Sequence, residues 1–118
     1  GRNMMGAIST SEPSELAHAI DRGAKLVYVD PRYTKTASKA TQCIPIRPGT
    51  DSAFLLAMIN VIVSNELADC EFVKQYVVGC DGIQAEMRKY TPEWAEKITG
   101  VPAATIERVA REYAAAKP

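Results

Sequence analysis

The chain predicts an α/β fold, a small parallel sheet with several packed helices, and three observations carry that prediction. Residues 25–30 (K-L-V-Y-V-D) and 43–46 (C-I-P-I) are short runs rich in β-branched and aromatic residues. Each run leads into a turn of Pro, Arg and Asp, the second with Gly49 and Thr50 as well. Helical apolar patterns precede the first run and follow the second, which gives a Rossmann-like order of elements. In open α/β sheets ligands bind where the carboxyl ends of strands pass into loops and helices. Both turns fall at such positions.

Taken in order, residues 1–11 are rich in Gly, Ser and Met and read as a loop. Pro13 suits the first turn of a helix, with Glu12 and Glu15 at its positive end. Leu16, Ala17, Ala19 and Ile20 give that helix an apolar face, and Gly23 supplies its stop. Residues 25–30 then form a strand, continuous enough in apolar character for a sheet buried on both faces. Residues 34–40 read as a helical turn. Residues 43–46 form the second strand, where Pro45 implies an edge or a bulge.

After Gly49, Thr50 or Asp51 caps a helix running to about Asn65, apolar on almost every side and expected to pack on the sheet. Asp69 caps a segment to Val78, with Phe72, Val73, Tyr76 and Val77 facing inward and Gly79 ending it. Residues 82–89 form a weaker helix. Thr91-Pro92-Glu93-Trp94 is a start signal, Trp94 belongs to the core, and Gly100 ends the element. Pro102 opens a last helix with Ile106, Val109, Ala110 and Tyr113 on one face. Two strands cannot balance so many helices. A further strand immediately before Gly1 is therefore expected in a longer parent protein, in keeping with an opening Gly-Arg-Asn rather than an initiator Met.

The 118 residues point to a single α/β domain, residues 1–118, long enough to bury roughly two-thirds of its unfolded surface. Apolar residues at 47% and charged residues at 24% fit a globular fold and exclude a disordered tail. A formal net charge of zero removes any broad attraction to nucleic acid or an anionic membrane. The longest apolar stretch, 53–63, is broken by Asn60 and is too short to span a bilayer. Cys43, Cys70 and Cys80 match no zinc or iron–sulfur spacing and read as reduced, mostly buried structural thiols. His18 has no nucleophile pattern near it and reads as a surface or boundary histidine. There is no GxGxxG and no Walker loop.

Asp30 and Asp51 are the sharpest candidates for chemistry. A carboxylate at a strand end accepts hydrogen bonds from a ribose diol, or from N1–H and the 2-amino group of guanine. Each charge-assisted bond contributes about 1.5–3 kcal/mol, so two in parallel select guanine over adenine. The competing roles are structural: an Asx-Pro turn for Asp30 and a plain helix N-cap for Asp51. Arg32 and Arg47 are each suited to a pyrophosphate or to a neighbouring Asp, with a structural salt bridge the simpler role for Arg47. Thr34, Thr50 and the amides around Gly49 are placed to donate to phosphate or ribose oxygens at a helix start.

Three blocks in order, V-D-P-R-Y-T-K-T-A, I-P-I-R-P-G-T-D-S-A-F-L-L-A-M-I and Y-T-P-E-W-A-E-K-I-T-G-V-P-A-A-T-I-E-R-V-A-R-E-Y-A, resemble the molybdopterin oxidoreductases of the dimethyl sulfoxide reductase family. The likeness is nearest the dimethyl sulfoxide and polysulfide or thiosulfate reductase type. The resemblance implies the central cofactor-binding domain of a larger catalytic subunit, holding the guanine, ribose and phosphate end of one of two pterins. It places Gly1, Arg2 and Asn3 in a first cofactor turn, Asp30, Pro31, Arg32 and Thr34 in a second, and Gly49, Thr50 and Asp51 in a third. The first turn runs Asn3-Met4-Met5-Gly6 where many relatives have Asn-Pro-Ala-Glu or Asn-Met-Ala-Glu, so no contact is carried over to Met5 or Gly6.

The implied cofactor in the parent is bis(molybdopterin guanine dinucleotide) with molybdenum or tungsten, none being expected on the isolated segment. The implied partners are the other domains of the same subunit and an iron–sulfur electron-transfer subunit. No catalytic residue and no metal ligand lies in this segment, which by itself should turn over no substrate. A cofactor-free structural domain of the same fold, as in an iron–sulfur subunit of respiratory complex I, is the alternative. An uncovered sheet edge would favour self-association of the segment.

Overall fold

Two parallel strands and six α-helices form the described part of the chain, residues 3–6 and 11–116 of a computed structural model. The expected α/β fold is found. The chain divides into two compact units, Gly1–Pro48 and Gly49–Pro118.

In the first unit a 3-10 turn, Met4–Gly6, precedes helix α1, Ser11–Asp21, which begins two residues before the expected Pro13. Helix α1 stops as expected: Gly23 N–H donates to Ile20 and Ala24 N–H to Ala19, the paired bonds of a Schellman motif. Strand β1, Val27–Val29, pairs in parallel with β2, Gln42–Ile44, with Tyr28 opposite Cys43. Asp30 N–H extends the ladder to Ile44 O at 3.2 Å, while Leu26 O takes both Thr41 and Gln42 N–H at the other end. Both strands are shorter than their apolar runs. Pro45 lacks the N–H that would continue β2, and the side chain of Thr41 accepts from Leu26 N–H where β1 would begin.

Parallel strands need a connection of about a dozen residues or more, and residues 30–41 supply it with only one 3-10 turn, Ala37–Lys39. Tyr28, Ile44, Ile46 and Ala37 are buried, but Cys43 is exposed. The expectation of a sheet buried on both faces therefore fails at Cys43 of β2, although its partner Tyr28 on the same face is buried. Cys43 and Cys70 are free thiols and both are exposed, against the expected burial.

The second unit is organised by α2, Asp51–Ser64, which packs on α4, Cys80–Met87, α5, Pro92–Thr99, and α6, Ala103–Ala115. The buried residues of α2 are Ala53, Phe54, Ala57, Asn60 and Val61. They meet Ala95 and Thr99 of α5 and Ile106, Val109 and Ala110 of α6 in one core. Small side chains at these seams let the helices approach closely. Buried Asn60 is satisfied by donating to Met87 O at 2.6 Å, and Thr99 Oγ1 donates to Ala95 O and accepts from Val101 N–H. The end of α2 carries Glu66 at φ 53°, a conformation that costs a non-glycine residue about 1–2 kcal/mol.

Helix α3, Cys70–Tyr76, starts as expected, with the Asp69 carboxylate accepting from Glu71 and Phe72 N–H. Its side chains do not. Phe72, Tyr76 and Val77 are 56%, 64% and 41% exposed, because two turns of helix stack the Phe72 and Tyr76 rings on each other, 4.9 Å apart. Trp94 is half-buried against Tyr90 rather than in the core. Tyr113 is exposed, and α6 ties to the end of α2 through a hydrogen bond from Arg111 to Asn65. Among the described residues, no helix is long and apolar enough to cross a membrane.

Two substitutions should move stability in opposite directions in urea unfolding of the chain. Ile106→Ala, at a fully buried site, is expected to cost about 2–5 kcal/mol. Glu66→Gly should raise stability by about 1 kcal/mol through relief of its positive φ.

Candidate functional site

The end of β1 sets the geometry. Asp30, one residue past the strand, is 6% exposed, yet its carboxylate is fully engaged by its own neighbourhood. Oδ1 accepts the Arg32 backbone N–H at 2.7 Å, which closes an Asx turn around Pro31. Oδ2 accepts the Tyr28 hydroxyl at 2.9 Å. The Tyr28 oxygen in turn accepts from Thr34 Oγ1 at 2.9 Å, and Thr34 Oγ1 accepts weakly from Ala37 N–H at 3.4 Å. The turn-forming role weighed for Asp30 is thus realised. The Arg32 guanidinium stands 3.8 Å from Oδ1 with its side chain 76% exposed, so most of it faces solvent.

These bonds fix the titration behaviour. The Arg32 N–H, then the Tyr28 hydroxyl, hold the Asp30 carboxyl below its ordinary value near 3.8, against burial and with lesser help from the Arg32 charge. Burial raises the Tyr28 hydroxyl above 10.0, the Asp30 carboxylate adds to that, and the Thr34 hydrogen bond offsets part of it.

Asn3 is held in a second cluster of the same unit. Thr36 Oγ1, 1% exposed, donates to Asn3 Oδ1 at 3.0 Å and accepts Met5 N–H at 2.9 Å. Thr36 N–H lies 3.4 Å from the same Asn3 oxygen. A Cβ on Gly6 would sit 2.5 Å from Asn3 Nδ2, so glycine there keeps the amide in place. No hydrogen bond from Asn3 Nδ2 to a described residue is found. Arg2 and Gly1 lie outside the described residues.

At the start of α2, Gly49 has φ +79°, a conformation that glycine alone adopts freely, and a Cβ would meet nothing within 4 Å. Thr50, not Asp51, occupies the cap position, without a side-chain cap bond. Asp51 is the first helical residue, exposed, with no hydrogen bond or ion pair to a described residue. The capping role considered for Asp51 is therefore not the one it plays. Pro31 and Arg47 are exposed. An apolar cavity of about 300 Å³ near Val63, Val73, Val77 and Ile83 contains none of the candidate residues.

Tyr28, Thr36 and Gly6 were not singled out from the sequence. Tyr28 looked like an ordinary strand residue, although its alternation with Asp30 puts both on one face of the strand.

No protein-family model matches the chain. Individual relatives match it throughout. The chain is 42% identical over 118 residues, all of its length, to the molybdopterin-containing subunit PhsA of thiosulfate reductase from Salmonella typhimurium, of which it spans 16%. It is 38% identical over 115 residues to the dimethyl sulfoxide reductase DmsA of Haemophilus influenzae, 80% of this chain and 14% of that protein. Among solved structures it superposes on acetylene hydratase from Pelobacter acetylenicus with a TM-score of 0.87 and 39% identity, over 92% of this chain and 15% of that one. The chain is therefore a segment of a molybdopterin enzyme's catalytic subunit. It belongs to the dimethyl sulfoxide reductase family of molybdopterin oxidoreductases.

The Asp30 bonds carry a pH dependence with a definite sign. A folded carboxyl held below its unfolded value stabilises the fold fully above the ordinary value, and that stabilisation is lost as pH falls through the folded value. The gap in melting temperature between the native chain and Asp30→Asn should therefore narrow on acidification from about pH 6 to about pH 2. A gap constant with pH would contradict the bonding described.

Proposed function

We propose that this segment holds the guanosine and phosphate end of one molybdopterin guanine dinucleotide within a larger molybdenum or tungsten enzyme. The observation that carries the reading is Asp51, an exposed carboxylate at the first position of an α-helix capped by another residue. Both of its oxygens are open to the paired N–H donors of guanine, a pattern adenine lacks. Gly49 and the first amides of α2 offer an anion the positive end of a 14-residue helix.

The residues of the first unit, taken by themselves, also suit a nucleotide. Asn3 presents an amide N–H pair with no hydrogen bond to a described residue, in a position that Thr36 and Gly6 fix. Arg32 presents an exposed guanidinium suited to pyrophosphate, with Pro31 and Thr34 in the same turn and Arg2 assigned by the resemblance alone. Asp30 organises that turn from beneath. When bound, the cofactor supplies the metal chemistry. The chain's own contribution is to grip and orient the nucleotide tail.

The unlike substrates for which the relatives are named support a shared cofactor role over a substrate role. Thiosulfate reductase, dimethyl sulfoxide reductase and acetylene hydratase act on unlike molecules, yet all three share this segment. In the parent, the partners we propose are the remaining domains of the same subunit and an iron–sulfur electron-transfer subunit. The chain spans 16% of the thiosulfate reductase subunit, so substrate and turnover belong to the parent. One observation favours the cofactor-free alternative at a single turn: Asp30 spends both oxygens internally. The open Asp51 argues the other way.

Guanosine monophosphate titrated into the chain should shift amide signals at residues 49–53 and 30–34, with adenosine monophosphate much weaker. Asp51→Asn should cut the guanine preference by roughly tenfold or more while leaving the melting temperature unchanged. Shifts confined to α3 and α4, or no guanine preference, would refute the reading.

A further inference from the structure

We propose that Tyr28 is a positioning residue that fixes the Thr34 hydroxyl as a hydrogen-bond acceptor, so that this turn receives the ribose diol rather than a phosphate oxygen. The inference rests on the nucleotide reading above and adds a polarity to it.

An ionised Asp30 only accepts hydrogen bonds, so the hydroxyl proton across the 2.9 Å Tyr28–Asp30 contact belongs to Tyr28. Tyr28 has one such proton, and it is spent. The 2.9 Å contact between Tyr28 and Thr34 therefore takes its proton from Thr34. Thr34 has likewise spent its only proton, pointing inward. One Oγ1 lone pair receives the weak Ala37 N–H at 3.4 Å, and the other remains.

Half-buried Thr34 thus offers an incoming group an acceptor and no donor. A ribose hydroxyl, which carries a proton, satisfies that position. An ionised phosphate oxygen, which carries none, is repelled by it. Phosphate is left to the exposed Arg32 guanidinium and to Asn3 Nδ2. This reverses the donor role that the sequence suggested for Thr34. Hydrogen bonds in such a chain polarise one another, so the carboxylate strengthens the links beyond it.

The test compares guanosine 5′-monophosphate with its 2′,3′-dideoxy counterpart, by titration calorimetry and amide shifts, on the native chain and three variants. The native chain should bind the ribonucleotide about tenfold more tightly, the worth of one good hydrogen bond. Tyr28→Phe frees the Thr34 proton and should erase most of that ratio. Thr34→Val, which deletes the acceptor, should erase it as well, whereas Thr34→Ser should retain it. A merely structural role for Tyr28 would weaken both nucleotides equally and leave the ratio intact, and that result overturns the proposal. A native ratio near one overturns it too while leaving the guanine reading standing. Failure of the native chain to bind either nucleotide overturns both. Should Tyr28→Phe fail to fold, the Thr34→Val and Thr34→Ser pair decides the matter alone.

Discussion

A buried, ionised carboxylate one residue past a short strand has to be satisfied from within the chain, and Asp30 shows how much structure that requirement organises. Its two oxygens take an N–H from the turn that follows and a hydroxyl from the strand that precedes it. The turn around Pro31 is shaped by the first bond, and Thr34 is drawn in through the second. Both bonds are charge-assisted. Together they answer the desolvation that burial imposes, and they keep the carboxyl charged. Arg32 is thereby turned outward.

A similar economy governs Asn3. One threonine hydroxyl, almost wholly buried, serves as donor to the Asn3 oxygen and acceptor for the Met5 amide. The absence of a side chain at Gly6 leaves room for the Asn3 amide. The departure at Met5 and Gly6 from the relatives' usual first turn is thus compatible with a fixed Asn3, because Gly6 acts by its smallness and not by a contact. In the second unit the helices are held by an apolar core, with small residues at the seams and Asn60 as the one buried amide bridging α2 to the end of α4.

Proteins named for thiosulfate, dimethyl sulfoxide and acetylene share similarity with this chain. The turn after β1 presents the exposed Arg32 guanidinium and the half-buried Thr34 hydroxyl. The apolar side chains of α3, Phe72 and Tyr76 above all, are exposed and lie away from the candidate turns in sequence.

What the sequence alone determined is what local chemistry decides. The helix starts at Asp69 and Thr91, the stops at Gly23 and Gly100, and the two strand positions follow from caps, glycines and β-branched runs whose partners lie within a few residues. The candidate turns were legible for the same reason. Partner choice was not. Whether Asp51 caps its helix or stands open depends on which residue takes the cap position, and that went to Thr50. Phe72 and Tyr113, expected to face inward, are exposed, and Ala95 became core through close helix contact rather than bulk. The Tyr28–Asp30–Thr34 chain needed the tertiary structure most of all, since a tyrosine in a strand pattern reads as packing until its hydroxyl is seen to end on a carboxylate. Hydrogen-bond direction is a property of the assembled cluster, and no single residue type encodes it.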